Sequence, residues 1–189
     1  MPDSADVHKS VKIREAYRDY RPTVDAAVIV RQLLDTVPEK YLRGLDCVVL
    51  TNEAALPRRD RIGRVWSHKR KFDKSHVLGR YHRQTRDHAA YIELRVDKII
   101  RWIEEVPAAF LFRKVLFGHV LFHELGHHIH RTIRPEYREK EDVADNWSAK
   151  LNVNFVRKTY WYAIPFLAVA AKTYRLIKRK QKRSSLAAD

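Results

Sequence analysis

Hydrophobic positions along the chain follow two different periods. From Thr23 to Val37 (TVDAAVIVRQLLDTV) apolar residues recur at helical spacing, with Thr23 as the expected N-cap, Asp25 in the first turn and Pro38 beyond the end. Glu39 to Arg43 reads as one more turn, closed by Gly44, and Leu45–Thr51 (LDCVVLT) as a β-branched buried strand. Between Ala89 and Val96, Ala90, Ile92, Leu94 and Val96 alternate with Tyr91, Glu93 and Arg95, which predicts a half-buried strand. DKIIRWIEEV follows as a short amphipathic helix or turn. Pro107 is placed to open a long helix that ends near Arg134-Pro135. A further helix begins near Glu139 (EKEDVADNWSAKLNVNFVRK), with Val143, Ala144, Trp147, Leu151 and Phe155 as its apolar stripe. Glu141, Asp145, Ser148 and Asn152 run together along one edge of that stripe. The expected organisation is a flexible or short-helical segment at 1–21, one α+β domain at 22–159, and a C-terminal helix with a basic tail at 160–189.

Charge changes this picture more than composition does. The chain of 189 residues has a formal net charge of +15, which favours anionic partners without bearing on fold. Within 57–83, ten Lys and Arg stand against Asp60 and Asp73, and Trp66, Phe72 and Tyr81 are interleaved. Two strands are expected there, around Val65-Trp66 and over Val77–His82. Such a basic hairpin or loop has the composition of a nucleic-acid grip, in which rings stack on bases. Seven more Lys and Arg lie between 172 and 183, after an apolar run, as in helices that bind anionic membrane surfaces. The uncharged run from Tyr160 to Ala171 is too short to span a bilayer, and MPDSADVHKS has no apolar leader core. A cytoplasmic protein, in one reading peripheral to the membrane, is the resulting expectation. The single cysteine, Cys47, falls in the predicted strand and reads as a small core residue.

The chemistry concentrates in Val115–Arg131, VLFGHVLFHELGHHIHR. His123-Glu124-Leu125-Gly126-His127 is an H-E-x-x-H pattern: on a helix the two imidazoles sit one turn apart on one face and reach one metal ion. Glu124 then lies beside a water on that metal, where a general base is useful. Leu116, Phe117, Val120, Leu121, Phe122, Leu125 and Ile129 cover the rest of the surface, so the helix is expected to be buried.

A catalytic zinc site takes three protein ligands, so a third is needed. His119 shares the stripe but is eight residues from His127, about 12 Å along the axis. His130 points elsewhere, and no histidine follows it. The remaining candidates are Glu136, Glu139, Glu141, Asp142 and Asp145. Glu141 is preferred, since Asp145 lies one turn on and can accept a hydrogen bond from a ligand imidazole.

HELGH followed by Glu141-Asp142-Val143-Ala144-Asp145 (E-x-x-A-D) resembles the gluzincin class of zinc metallopeptidases. EDVADNWSAKL is similar to the E-x-x-A-N-x-F-A segment of the ImmA/IrrE family, small cytoplasmic bacterial and phage-associated peptidases that cleave transcriptional repressors. The resemblance covers residues 89–151, with Asp145 and Ser148 where that segment has Asn and Ala. It implies a small zincin-like α+β domain, with a mostly antiparallel sheet packed on the H-E-x-x-H helix and on a following ligand-bearing helix. It also implies Zn²⁺ on His123, His127 and Glu141, Glu124 as general base, and a protein or peptide substrate. In the strand Ala89–Val96 it implies an edge on which an extended peptide can lie. Tyr137 and Tyr160 are the first candidates for stabilising the transition state, with Tyr162 and His88 behind them. Basic DNA-associated metalloproteases of the SprT type are the alternative, but their third ligand is a histidine.

Overall fold

The computed structural model describes residues 11–61, 64–67, 70–73, 77–105, 112–133 and 141–162. The chain runs β1 (Lys12–Ala16), α1 (Ala26–Leu34), β2 (Leu45–Thr51), α2 (Arg58–Arg61), β3 (Arg64–Ser67), β4 (Arg70–Asp73), β5 (Gly79–His82), β6 (Ala90–Arg95), α3 (Val96–Glu104), α4 (Arg113–Ile133) and α5 (Glu141–Thr159). The main sheet has the order β1-β2-β6-β5, and β3 and β4 form a separate two-stranded ribbon.

Two of its three pairings are parallel, β1 with β2 and β2 with β6; only β5 with β6 is antiparallel. The expectation of a mostly antiparallel sheet is therefore wrong. A parallel pair needs a crossover connection, and α1 supplies it between β1 and β2. β2 carries the mark of such a strand: five of its seven residues are buried, a near-continuous run rather than an alternation.

The N-terminal segment also departs from expectation. Residues 12–16 are not helical but form β1, in register with Cys47 to Thr51. Just past the strand ends, the Asn52 side chain accepts from the Arg18 N–H and donates to the Arg18 carbonyl, both at 2.8 Å. Long-range pairing overrides whatever local preference VKIREAYRDY has for a turn of helix. In α1 the cap is Asp25 rather than Thr23, with its carboxylate accepting from Val28 N–H at 2.9 Å. Gly44 does close the following turn, at φ +81°, a conformation that suits glycine.

One core joins α1, α3, α4 and α5 to the inner face of the sheet. Val30, Leu33, Val48, Leu50, Ile92, Leu94, Phe117, Leu121, Phe122, Leu125, Ile129 and Phe155 are all essentially inaccessible to solvent. Cys47 is a buried free thiol, its pKa raised by burial. In the basic region, β3 pairs with β4 while β5 joins the main sheet, so the two predicted strands do not form one hairpin. Among the described residues no helix is long and apolar enough to cross a membrane. Pro107, the Arg134-Pro135 exit, Glu136, Tyr137, Glu139 and the basic tail lie outside the described residues.

Candidate metal centre

α4 and α5 pack as an antiparallel pair, and Gly126 is where they come closest. A Cβ built there would stand 2.8 Å from both the Cα and the carbonyl oxygen of Ala144. This approach lets short side chains on the two helices meet. The edge of α5 that carries Glu141, Asp145, Ser148 and Asn152 does face α4: Glu141 and Asp145 reach His123, Ser148 Oγ donates to the His119 carbonyl at 2.9 Å, and Asn152 lies over Gly118.

His123 Nε2 and His127 Nε2 are 3.2 Å apart, with their rings nearly perpendicular at 88°. Glu141 Oε2 lies 3.4 Å from the first and 3.7 Å from the second. Three ligand atoms at tetrahedral corners, each ~2.0–2.1 Å from a Zn²⁺ ion, would be separated by ~3.3 Å. The observed triangle is close to that size, so these three side chains form a group that can hold a metal ion. His123 Nδ1 meets Asp145 Oδ1 at 2.8 Å. A carboxylate can only accept, so the proton sits on Nδ1 and Nε2 turns its lone pair toward the centre. Burial, together with the adjacent His127, lowers the His123 pKa, although Asp145 and Glu141 pull the other way; the neutral, ligating form is favoured.

Glu124 and His127 are only 8% and 7% exposed, although both are polar. Glu124 Oε2 accepts from the backbone N–H of Tyr81 at 2.8 Å, which orients the carboxylate against β5. Gly79 makes room for it: a Cβ there would meet Glu124 Cγ at 2.9 Å.

Comparison of the chain with protein-family models, with curated proteins and with solved structures yields no match in any of the three. The case for a metal centre therefore rests on these side chains.

Other predicted residues are placed elsewhere. Tyr160 follows the far end of α5, edge-on to Phe155, nineteen residues and about 28 Å of helix axis from Glu141. Tyr162 is exposed against Trp161, and His88 packs edge-on to Tyr91. None of these three approaches the triad. β6 is an interior strand, so Ala89–Val96 is not an edge; among the described residues the edges of the main sheet are β1 and β5, and β5 is the one beside Glu124.

Two contributors escape a reading by sequence. Tyr81 acts through its backbone amide, which no side-chain pattern reveals. His128 is fully buried behind the triad, its Nε2 3.0 Å from the Arg43 carbonyl and its Nδ1 3.3 Å from Tyr81 Oη. Its pKa is lowered by burial, opposed by the Arg43 bond. The available signal was a histidine between apolar Leu125 and Ile129 on the inward face. Asp145→Ala should lower metal affinity by about 10- to 100-fold, since it removes the acceptor that sets the His123 tautomer. Competition against a chromophoric chelator measures this, and an unchanged affinity would remove Asp145 from the site.

Proposed function

We propose that the protein is a zinc-dependent metallopeptidase of zincin type. The observation that carries this reading is the triangle of His123 Nε2, His127 Nε2 and Glu141 Oε2, with Glu124 beside it on the same buried helix. Two imidazoles and one carboxylate are a donor set suited to catalytic Zn²⁺, since three protein ligands leave a position open. When bound, the ion supplies Lewis acidity, polarising a scissile carbonyl and making water acidic enough to lose a proton near neutral pH. The chain's own residues supply the rest. Glu124, oriented by the Tyr81 amide, accepts that proton and passes it to the leaving amine. Asp145 holds His123 in its ligating tautomer. β5, an edge strand of the sheet next to Glu124, offers an extended substrate a strand to lie along through backbone groups other than the Tyr81 N–H, which Glu124 holds. Leu121, Phe122 and Leu125, fully buried on the same helix, leave the inner side of the site apolar.

The zinc-loaded protein should cleave unstructured peptides, lose that activity on chelation and regain it when Zn²⁺ is added back. Metal analysis should find one ion per chain in the wild type and far less in His123→Ala and Glu141→Ala. Cleavage that survives chelation, or a loaded protein that cleaves nothing in a diverse peptide set, would sink the proposal.

A further inference from the structure

The stripe that carries His123 and His127 continues one turn further to Arg131, about 6 Å along the axis. Arg131 opens onto two adjoining clefts of about 400 and 550 Å³, which share Tyr81, Arg83, Thr85 and Arg131 as lining. Arg80 borders the smaller one. Arg83 is exposed, while Arg80 and Arg131 are half-buried. Of the described residues lining either cleft, none is acidic. A guanidinium has five donors in a planar fork that matches a carboxylate, so a contact within the protein still leaves donors for a ligand. Both clefts begin at β5, the strand whose Tyr81 amide holds Glu124.

We propose that this arginine-walled cleft receives acidic side chains of a peptide lying along β5, making segments bearing Asp or Glu the preferred substrates. The proposal rests on the peptidase reading above. The rings at the cleft favour a peptide over a nucleic acid. Tyr81 is packed against His128 at 5.5 Å, and His82 is stacked on Tyr91 at 4.3 Å. These rings are engaged with each other rather than presented for bases to stack on, which single-strand binding requires. What the cleft presents is the positive charge of Arg80, Arg83 and Arg131, beside the strand whose Tyr81 amide holds Glu124.

The test uses zinc-loaded Glu124→Gln protein and fluorescent peptides that differ only in whether four positions carry Asp/Glu or Asn/Gln. The acidic peptide should bind about tenfold more tightly, the sum of a few partly exposed charge pairs. Arg83→Glu should abolish that preference. Arg157→Glu makes the same change in net charge far along α5 and should leave the preference in place. Equal affinities for the two peptides, or equal effects of the two charge reversals, would overturn the proposal. So would a single-stranded oligonucleotide of equal length that displaced the acidic peptide at lower concentration. Failure of the peptidase reading is separately visible: wild-type protein would cleave neither peptide while the binding preference persisted.

Discussion

Glu124→Gln is expected to retain its metal and lose peptide turnover by about 10²- to 10⁴-fold, the usual contribution of a positioned general base. The amide is nearly isosteric with the carboxylate, and its oxygen can still accept from the Tyr81 N–H, now at 2.8 Å from Oε2. Neither His123, His127 nor Glu141 is touched, so one ion per chain should remain. What disappears is proton acceptance, because an amide oxygen is far too weak a base to take a proton from water. Metal analysis and single-turnover cleavage, run on the same sample, separate the two effects. A variant that cleaves at the wild-type rate would remove Glu124 from the chemistry, and one that loses its metal would show that Glu124 has a structural role instead.

The parts of this site that were legible in the sequence are those governed by helical periodicity. His123, Glu124 and His127 are fixed relative to one another by 3.6 residues per turn, and the apolar residues around them place the helix in the core. Glu141 was legible only as the best of several acids, because nothing local states how the next helix will cross. The decision lies in the Gly126–Ala144 approach, a contact between residues eighteen apart, which turns the Glu141 edge toward α4. Sheet topology was less accessible still. β1 is short, polar and largely exposed, so its strand state comes from pairing with β2 and not from its own pattern. The edge that the resemblance implies at Ala89–Val96 is interior for the same kind of reason: β6 pairs with β2 on one side and β5 on the other. β5 sits in the basic run, where charge obscured the role of Gly79 and Tyr81. The missing information was thus non-local: backbone pairing and close approach, neither of which leaves a period in one sequence.

Gly126→Ala tests the approach of the two helices, and two effects of opposite sign compete. Alanine is favoured over glycine inside a helix by about 0.8–1.0 kcal/mol. Against this, the new methyl would stand 2.8 Å from the Cα and from the carbonyl oxygen of Ala144, and 3.1 Å from Trp147 Cβ. Two of those neighbours are backbone atoms that cannot rotate away, so α5 must shift; overpacking of this kind costs about 1–3 kcal/mol. The clash should win, giving net destabilisation of about 1 kcal/mol and a Tm lower by about 2–4 °C for a domain of this size. A larger consequence follows for the metal. Glu141 lies three residues before Ala144 on the helix being displaced, whereas His123 and His127 stay on α4. A shift of a few tenths of an ångström therefore opens the triangle on one side, and metal affinity should fall more steeply than stability does. Gly118→Ala is the informative comparison. Its Cβ would meet Asn152 Oδ1 at 2.7 Å and Leu33 Cδ2 at 3.1 Å, both ends of side chains that can rotate. It should cost less and leave metal affinity near the wild-type value. Equal metal affinities in Gly126→Ala and the wild type would mean that Glu141 does not depend on this contact, and the carboxylate would then have to be held by something other than the packing of the two helices.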